Sequence, residues 1–232
     1  YVSSVKSAQQ TEGEARQKLA LQALRSSQVE HLTLENKRLR KLLDLREQLS
    51  VSSQPAEVLY DAADPFTRKI IVDRGLAQGV EAGSPVVDET GVLGQVTRVY
   101  PLVSEVTLVI DRDHAIPVLN TRTGARSVAY GDPVTQGGSL EMRVMPANAD
   151  VVAGDILTTS GVDGIYPPGL PVAQVSKVER RADSAFARIY CTPLAQAQGA
   201  RHVMLLKPLG GMIPALPAED PASPASKRKG RS

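Results

Sequence analysis

Hydrophobic and polar positions follow two different rhythms along this chain. From about Glu12 to Leu49 the residues are rich in Leu, Gln, Arg, Lys and Glu, all good helix formers. All 16 prolines lie at Pro55 or later, and only Gly13 interrupts the first 50 residues. A helix of that extent runs roughly 55 Å at about 1.5 Å per residue, too long to pack usefully on one small domain. Within it Val29, Leu32, Asn36, Leu39 and Leu43 fall at positions a, d, a, d, a of a heptad. Glu35 then occupies g and Arg40 occupies e, the spacing for an ion pair between chains. A buried Asn at a favours a parallel dimer at some cost in stability. The seam covers about two heptads; Leu42, Leu45 and Leu49 lie off it, and Arg46 holds the next d position. Self-association is expected, against the plainer reading of a solvated helix resting on its own globular domain.

From Pro55 the rhythm changes to short β-branched runs separated by Gly and Pro. The expected strands are "RKIIVDRG", "SPVVDE", "GVLGQVTRVY", "EVTLVID", "AIPVLN", "SLEMRVM", "LPVAQVSKVE", "ARIYCTP" and "HVMLLKP". Alternation of period two argues for half-buried strands: Val106, Leu108 and Ile110 share one face, as do Ala187, Ile189 and Cys191. With no helical pattern between the runs, the sheet is expected to be mostly antiparallel, a barrel or a sandwich. Cys191, the one cysteine, falls on the apolar side and reads as a buried structural thiol.

A weak repeat sharpens the picture. "VEAGSPVV" (80–87) parallels "VVAGDILT" (151–158), and "GVLGQVTRV" (91–99) parallels "GLPVAQVSKV" (169–178). Another strand follows each time, so two small β domains in tandem are expected, unless the likeness is ordinary hairpin grammar.

Composition removes several functions. A net charge of +2 creates no strong field for nucleic acid. Aromatic residues are 3% of the chain and Trp is absent, so base-stacking platforms are missing. No apolar run approaches the roughly 18 residues a membrane span needs. The chain opens on Tyr1 rather than Met and has no signal peptide, so a fragment without its targeting segment is expected.

The tempting chemistry sits in "GDILTTSGVDGIYPPGL" (154–170), with Ser160 in a Gly-rich turn and His114 beside Asp111 and Asp113. A nucleophile elbow needs Gly-x-Ser-x-Gly between strand and helix, and "TTSGVDG" lacks the first Gly. His114 and Asp113 are adjacent, so on a strand they point to opposite faces. Gly161, Asp163 and Gly164 are what a turn requires. His31, His114 and His202 are scattered, and no metal-ligand spacing occurs. The chain is expected to have no catalytic, metal or cofactor residues.

Taken together, the helix, "AEVLYDAADPFTRKIIVDRGLAQGVEAGSPVVDETGVLGQVTRVYPLVSEVTLVID", "YGD", "VVAGDILTTSGVDGIYPPGLPVAQV" and "VMLLKP" strongly resemble the MreC family of rod-shape-determining proteins. The likeness runs from Gln28 to Pro208, and its motifs are specific in combination. One position departs: Asp73 stands where the family leads us to expect Asn. The resemblance implies a cytoplasmic end, one membrane helix, a periplasmic coiled coil and two β-barrel domains, each like half of a chymotrypsin-type protease without its triad. It implies a scaffold of the cell-wall elongation machinery with no activity of its own, anchored by a single pass at the periplasmic face of the bacterial inner membrane. It also implies partners: a penicillin-binding transpeptidase, its polymerase partner, the membrane protein MreD and the actin-like filament. The membrane helix has no counterpart in this sequence.

The resulting expectation is a mainly β protein: a coiled-coil helix over 1–50, then two small antiparallel β-barrel domains over 55–135 and 136–210, with strands free to cross that boundary. A disordered tail covers 211–232; it is Pro-, Ala- and Ser-rich from Pro214, with Lys227, Arg228, Lys229 and Arg231 at its end. Such a tail solubilises, or makes a loose contact with an anionic surface. Ile165 and Tyr166, beside Pro167 and Pro168, are the candidate partner-binding residues, against the reading that Tyr166 plugs its own barrel. Two alternatives compete: a periplasmic adaptor of an export pump, which needs a second long helix, and an inactive serine-protease-like protein.

Overall fold

The computed structural model describes residues 2–48, 51–62, 67–134, 138–181 and 184–210; within the helix it describes the side chains of Arg16 and of residues 19–44. The tail expected over 211–232 lies outside the described residues.

Helix α1 (Val2–Gln48) has 47 residues and is about 70 Å long. It begins well before the expected Glu12, because no Pro precedes Pro55 and the single Gly13 costs only about 1 kcal/mol inside a helix. The described residues then form β1 (Ser53–Asp61), β2 (Lys69–Val72), β3 (Pro85–Val87), β4 (Val92–Val99), β5 (Ser104–Leu108), β6 (Ala115–Asn120), β7 (Arg126–Asp132), β8 (Ser139–Pro146), β9 (Ile156–Thr159), β10 (Pro171–Glu179), β11 (Phe186–Pro193) and β12 (His202–Leu206). Each run expected to be a strand is one. β1, β7 and β9 come from stretches not among them.

The strands close into two barrels of six, with orders β1-β12-β3-β4-β5-β2 and β10-β11-β8-β7-β6-β9. Neighbours pair antiparallel throughout. The division expected at 135/136 is therefore corrected. β6 and β7 belong to the second barrel, and β12 returns to the first, pairing with β1 from Ser53↔Leu206 to Glu57↔His202 and with β3 through Met204↔Val87. The second barrel is an insertion in the first.

The two barrels are versions of one design, circularly permuted. Read cyclically, β3-β4-β5-β2-β1-β12 matches β9-β10-β11-β8-β7-β6. The hydrogen bonds repeat with it. Gly83 N donates to Val96 O and Gly154 N to Val175 O, both at 2.8 Å. Gln95 Nε2 donates to Gly83 O at 3.3 Å, and Gln174 Nε2 donates to Gly154 O at 3.2 Å. The ladder register shifts between Val96 and Arg98 on β4 and between Val175 and Lys177 on β10. A bulge at the same place bends both strands and increases their twist, as closure of a small barrel requires. The likeness read in the sequence is thus structural.

Two links join the barrels. The first follows β5, where Val109 and Ile110 are fully buried and the buried Asp111 accepts Arg68 N at 2.6 Å and Asp113 N at 2.9 Å. The second lies between β11 and β12, where Gln196 N donates to Asp88 Oδ2 at 2.6 Å. Asp88 Oδ1 also accepts Thr90 N, Thr90 Oγ1 and Gly91 N at 2.7–2.9 Å. Gly91 lies against the second barrel so tightly that a Cβ there would stand 2.6 Å from Pro171 O. Cys191 is buried, and burial pushes its thiol up to about 12.

Asp88 therefore ties the β3–β4 turn to the returning link. Asp88→Ala leaves these donors without their acceptor and is expected to destabilise the protein by about 2–4 kcal/mol, measured as a lower urea midpoint with an unchanged slope.

Candidate interaction surfaces

One side of α1 meets the first barrel. Leu42 is buried there. Glu35 lies 3.5 Å from Arg201 and 3.9 Å from His202, at the start of β12, while Arg38 reaches Glu89 in the β3–β4 turn at 3.5 Å. The helix thus rests on its own globular domain near its end, as the plainer reading had it, through residues that the sequence did not single out. The contact's one local trace is Leu42, which falls at g, off the seam.

The expected dimer seam lies about 100° further round the helix, at 100° per residue. Val29, Leu32, Leu39 and Leu43 are 62%, 62%, 38% and 55% exposed. Asn36 Oδ1 accepts Arg40 Nε of the same chain at 2.8 Å. Glu35, expected to pair with Arg40 of another chain, faces Arg201 and His202 within its own. Leu19, Leu21, Leu24 and Leu34 are also largely exposed. Exposed apolar surface of this kind occurs at protein–protein and membrane interaction sites.

The Ile165–Tyr166 turn is placed differently from the expectation. Tyr166 is 2% exposed, and its hydroxyl shares a 3.2 Å hydrogen bond with His114 Nε2. The rings meet edge to face at 84°. Asp163 Oδ1 holds the turn by accepting Ile165 N and Tyr166 N at 3.1 and 3.3 Å. Ile165 is half-buried against the core. Tyr166 thus has no face to offer a partner in this conformation. An apolar ring beside two prolines fits the barrel end better than water, and the partner-binding reading of Tyr166 is corrected accordingly.

The serine temptation resolves at the same spot. His114 Nε2 is occupied by Tyr166, and the buried Ser160 Oγ has no hydrogen-bond partner among the described residues. Burial pushes His114 down to about 4, against the raising pull of Asp111 and Asp163; burial pushes the Tyr166 hydroxyl up. Among the described residues no group of three or more His, Cys, Asp or Glu is placed to hold a metal ion. No helix among them is long and apolar enough to cross a membrane. Nor do they form a second long helix for the hairpin an export adaptor needs.

A long helix leading into two permuted, interlocked six-stranded barrels defines the structural class. The model of rod shape-determining protein MreC, barrel core, matches residues 58–207. The cell shape-determining protein MreC of Escherichia coli is 37% identical over 172 residues, 74% of this chain and 46% of its own. The crystal structure of MreC from Pseudomonas aeruginosa aligns with a TM-score of 0.64 at 35% identity, over 67% of this chain and 99% of that one. A solved complex between penicillin-binding protein PBP2 and MreC from Helicobacter pylori aligns with a TM-score of 0.56 at 18% identity, over 68% of this chain and 99% of that one, a likeness of fold. The chain belongs to the MreC family of rod shape-determining proteins. It spans about half the length of the curated relatives it matches.

Two outcomes are expected at the Tyr166 turn. His114 is neutral when folded and has its ordinary value of 6.5 when unfolded, so below 6.5 the unfolded chain binds more protons. Its contribution is present in full above pH 6.5 and falls by about 3 kcal/mol as the pH drops to 4. Denaturant midpoints measured across that range should flatten in His114→Gln. Gly169 has φ +89°, and a Cβ there meets nothing within 4 Å. Gly169→Val is thus expected to cost about 1–3 kcal/mol through backbone strain alone, read as a lower melting temperature.

Proposed function

We propose that this chain is the scaffolding part of a rod-shape determinant, self-associating through α1 and presenting its barrels to the proteins that build the cell wall. It has no chemistry of its own in this reading. The observation that carries it is the exposed apolar seam of Val29, Leu32, Leu39 and Leu43 around Asn36, which pairs two helices in parallel and in one register. The chain works at the periplasmic face of the inner membrane, held by a membrane helix that would precede α1 in the whole protein. The first partner is a penicillin-binding transpeptidase; the PBP2–MreC complex of Helicobacter pylori supports this at the level of fold. Its polymerase partner, MreD and the actin-like filament complete the assembly by family resemblance.

Sedimentation across a concentration series tests the seam. Leu32→Lys is expected to weaken dimerisation at least about tenfold. Asn36→Leu is expected to strengthen association while loosening register and oligomer state. Titration of the same samples with the transpeptidase tests the partner. A chain that stays monomeric at every concentration removes the coiled coil from this reading, and absence of transpeptidase binding removes the scaffold.

A further inference from the structure

We propose that His202 and Glu35 form a proton-sensitive latch between α1 and the first barrel, so that acidification fixes the helix on its own barrel and a rise in pH loosens it. The latch lies at a cavity of about 90 Å³ between α1, the β3–β4 turn and the start of β12. It works within one chain and does not depend on self-association.

The balance of charge shows what a proton does there. From α1, Glu35 lies 3.5 Å from Arg201. From β1, Glu57 approaches the same guanidinium at 3.8 Å. Arg38 and Glu89 answer each other at 3.5 Å. Asp73 and Arg74, which line the neighbouring cleft with His202, do so at 2.6 Å. One arginine is thus left to serve two carboxylates, and a negative charge is in surplus.

His202 is placed to answer it. Its Nε2 is 3.9 Å from Glu35 Oε1. It also stands opposite Glu57 in the β1–β12 ladder, which puts both side chains on one face of the sheet. At 3.9 Å a neutral imidazole supplies neither a hydrogen bond nor a charge. A protonated one sets a cation between the two carboxylates and ties Glu35 across the joint. Docking and protonation therefore favour each other.

His31 plays a different part. Its Nδ1 is 3.9 Å from Glu35 Oε2, but both residues stand on α1 one turn apart, so that pair orients the carboxylate without crossing to the barrel. Imidazole is the side chain that gains its charge between about pH 5 and 8. The joint is otherwise slight: Leu42 is the one buried large hydrophobic among the described side chains of α1. One added ion pair is then a sizeable part of what holds the helix.

The test reads the distance from helix to barrel. Leu24 on α1 and Leu102 beside β5 are exposed, and Leu24→Cys with Leu102→Cys carries two spin labels. Cys191 is buried, its thiol pushed up to about 12, and stays unlabelled. Dilution into an excess of unlabelled chain leaves only distances within one chain. The distribution is expected to be broad at about pH 8 and to narrow at about pH 5.5, the docked population gaining about threefold over the undocked. His202→Gln and Glu35→Gln should stay broad at both values, and His202→Lys, with its lasting charge, should stay narrow at both. Circular dichroism confirms that each variant is folded. A wild-type distribution that is the same at both values overturns the latch. So does a response that survives in His202→Gln, or a His202→Lys chain that still broadens at about pH 8.

Discussion

β1 and β12 come from opposite ends of the barrel region, and their ladder from Ser53↔Leu206 to Glu57↔His202 does several jobs at once. It closes the first barrel, so that no sheet edge is left along these strands to pair with another chain. It brings both links of the inserted barrel to one junction, where Asp88 and Asp111 satisfy the backbone donors that a buried crossing would otherwise leave unpaired. It also sets Arg201 and His202 beside the helix. Loss of this pairing would open the barrel and free the helix together.

The helix is held only near its end. Leu42 is its one buried large hydrophobic among the described side chains, and the ion pairs around it are surface pairs worth little individually. What they supply is direction. With Glu35 and Arg38 engaged on one side, the seam is turned away from the barrel to a fixed degree. The barrel thus decides which face of the helix remains available.

Much of this was legible in the sequence because it is local. The absence of Pro before Pro55, with Gly13 the one Gly there, announced the helix, and period-two alternation located most strands. The repeat of "VEAGSPVV" in "VVAGDILT" carried a real structural equivalence, down to paired Gln-to-Gly hydrogen bonds. β1 was missed because Pro55 interrupts it and Leu59 and Tyr60 are exposed, which blurs its alternation. β7 was missed because it ends on Gly131 and Asp132, residues that read as a turn. The interlocking of the barrels leaves no local trace, since a strand such as "HVMLLKP" looks the same whichever barrel it joins. The candidate surface divides in the same way: the seam's heptad is local, whereas the Glu35–Arg201 contact spans the chain. The buried Tyr166 is partnered by His114, brought in from the link that precedes β6.

The permutation has a consequence for biosynthesis. All six strands of the second barrel, β6 to β11, are contiguous in the chain, so that barrel can close as soon as it has emerged. The first barrel cannot. Its strands β1 to β5 are made earlier, yet they form an unclosed sheet until β12 arrives, with β1 and β3 lacking their shared neighbour. Contacts of such high sequence separation form slowly, and unpaired strand edges invite association with other nascent chains. The older half of the β region is therefore the last to finish folding, and truncation between β11 and β12 would leave one intact barrel beside one open sheet.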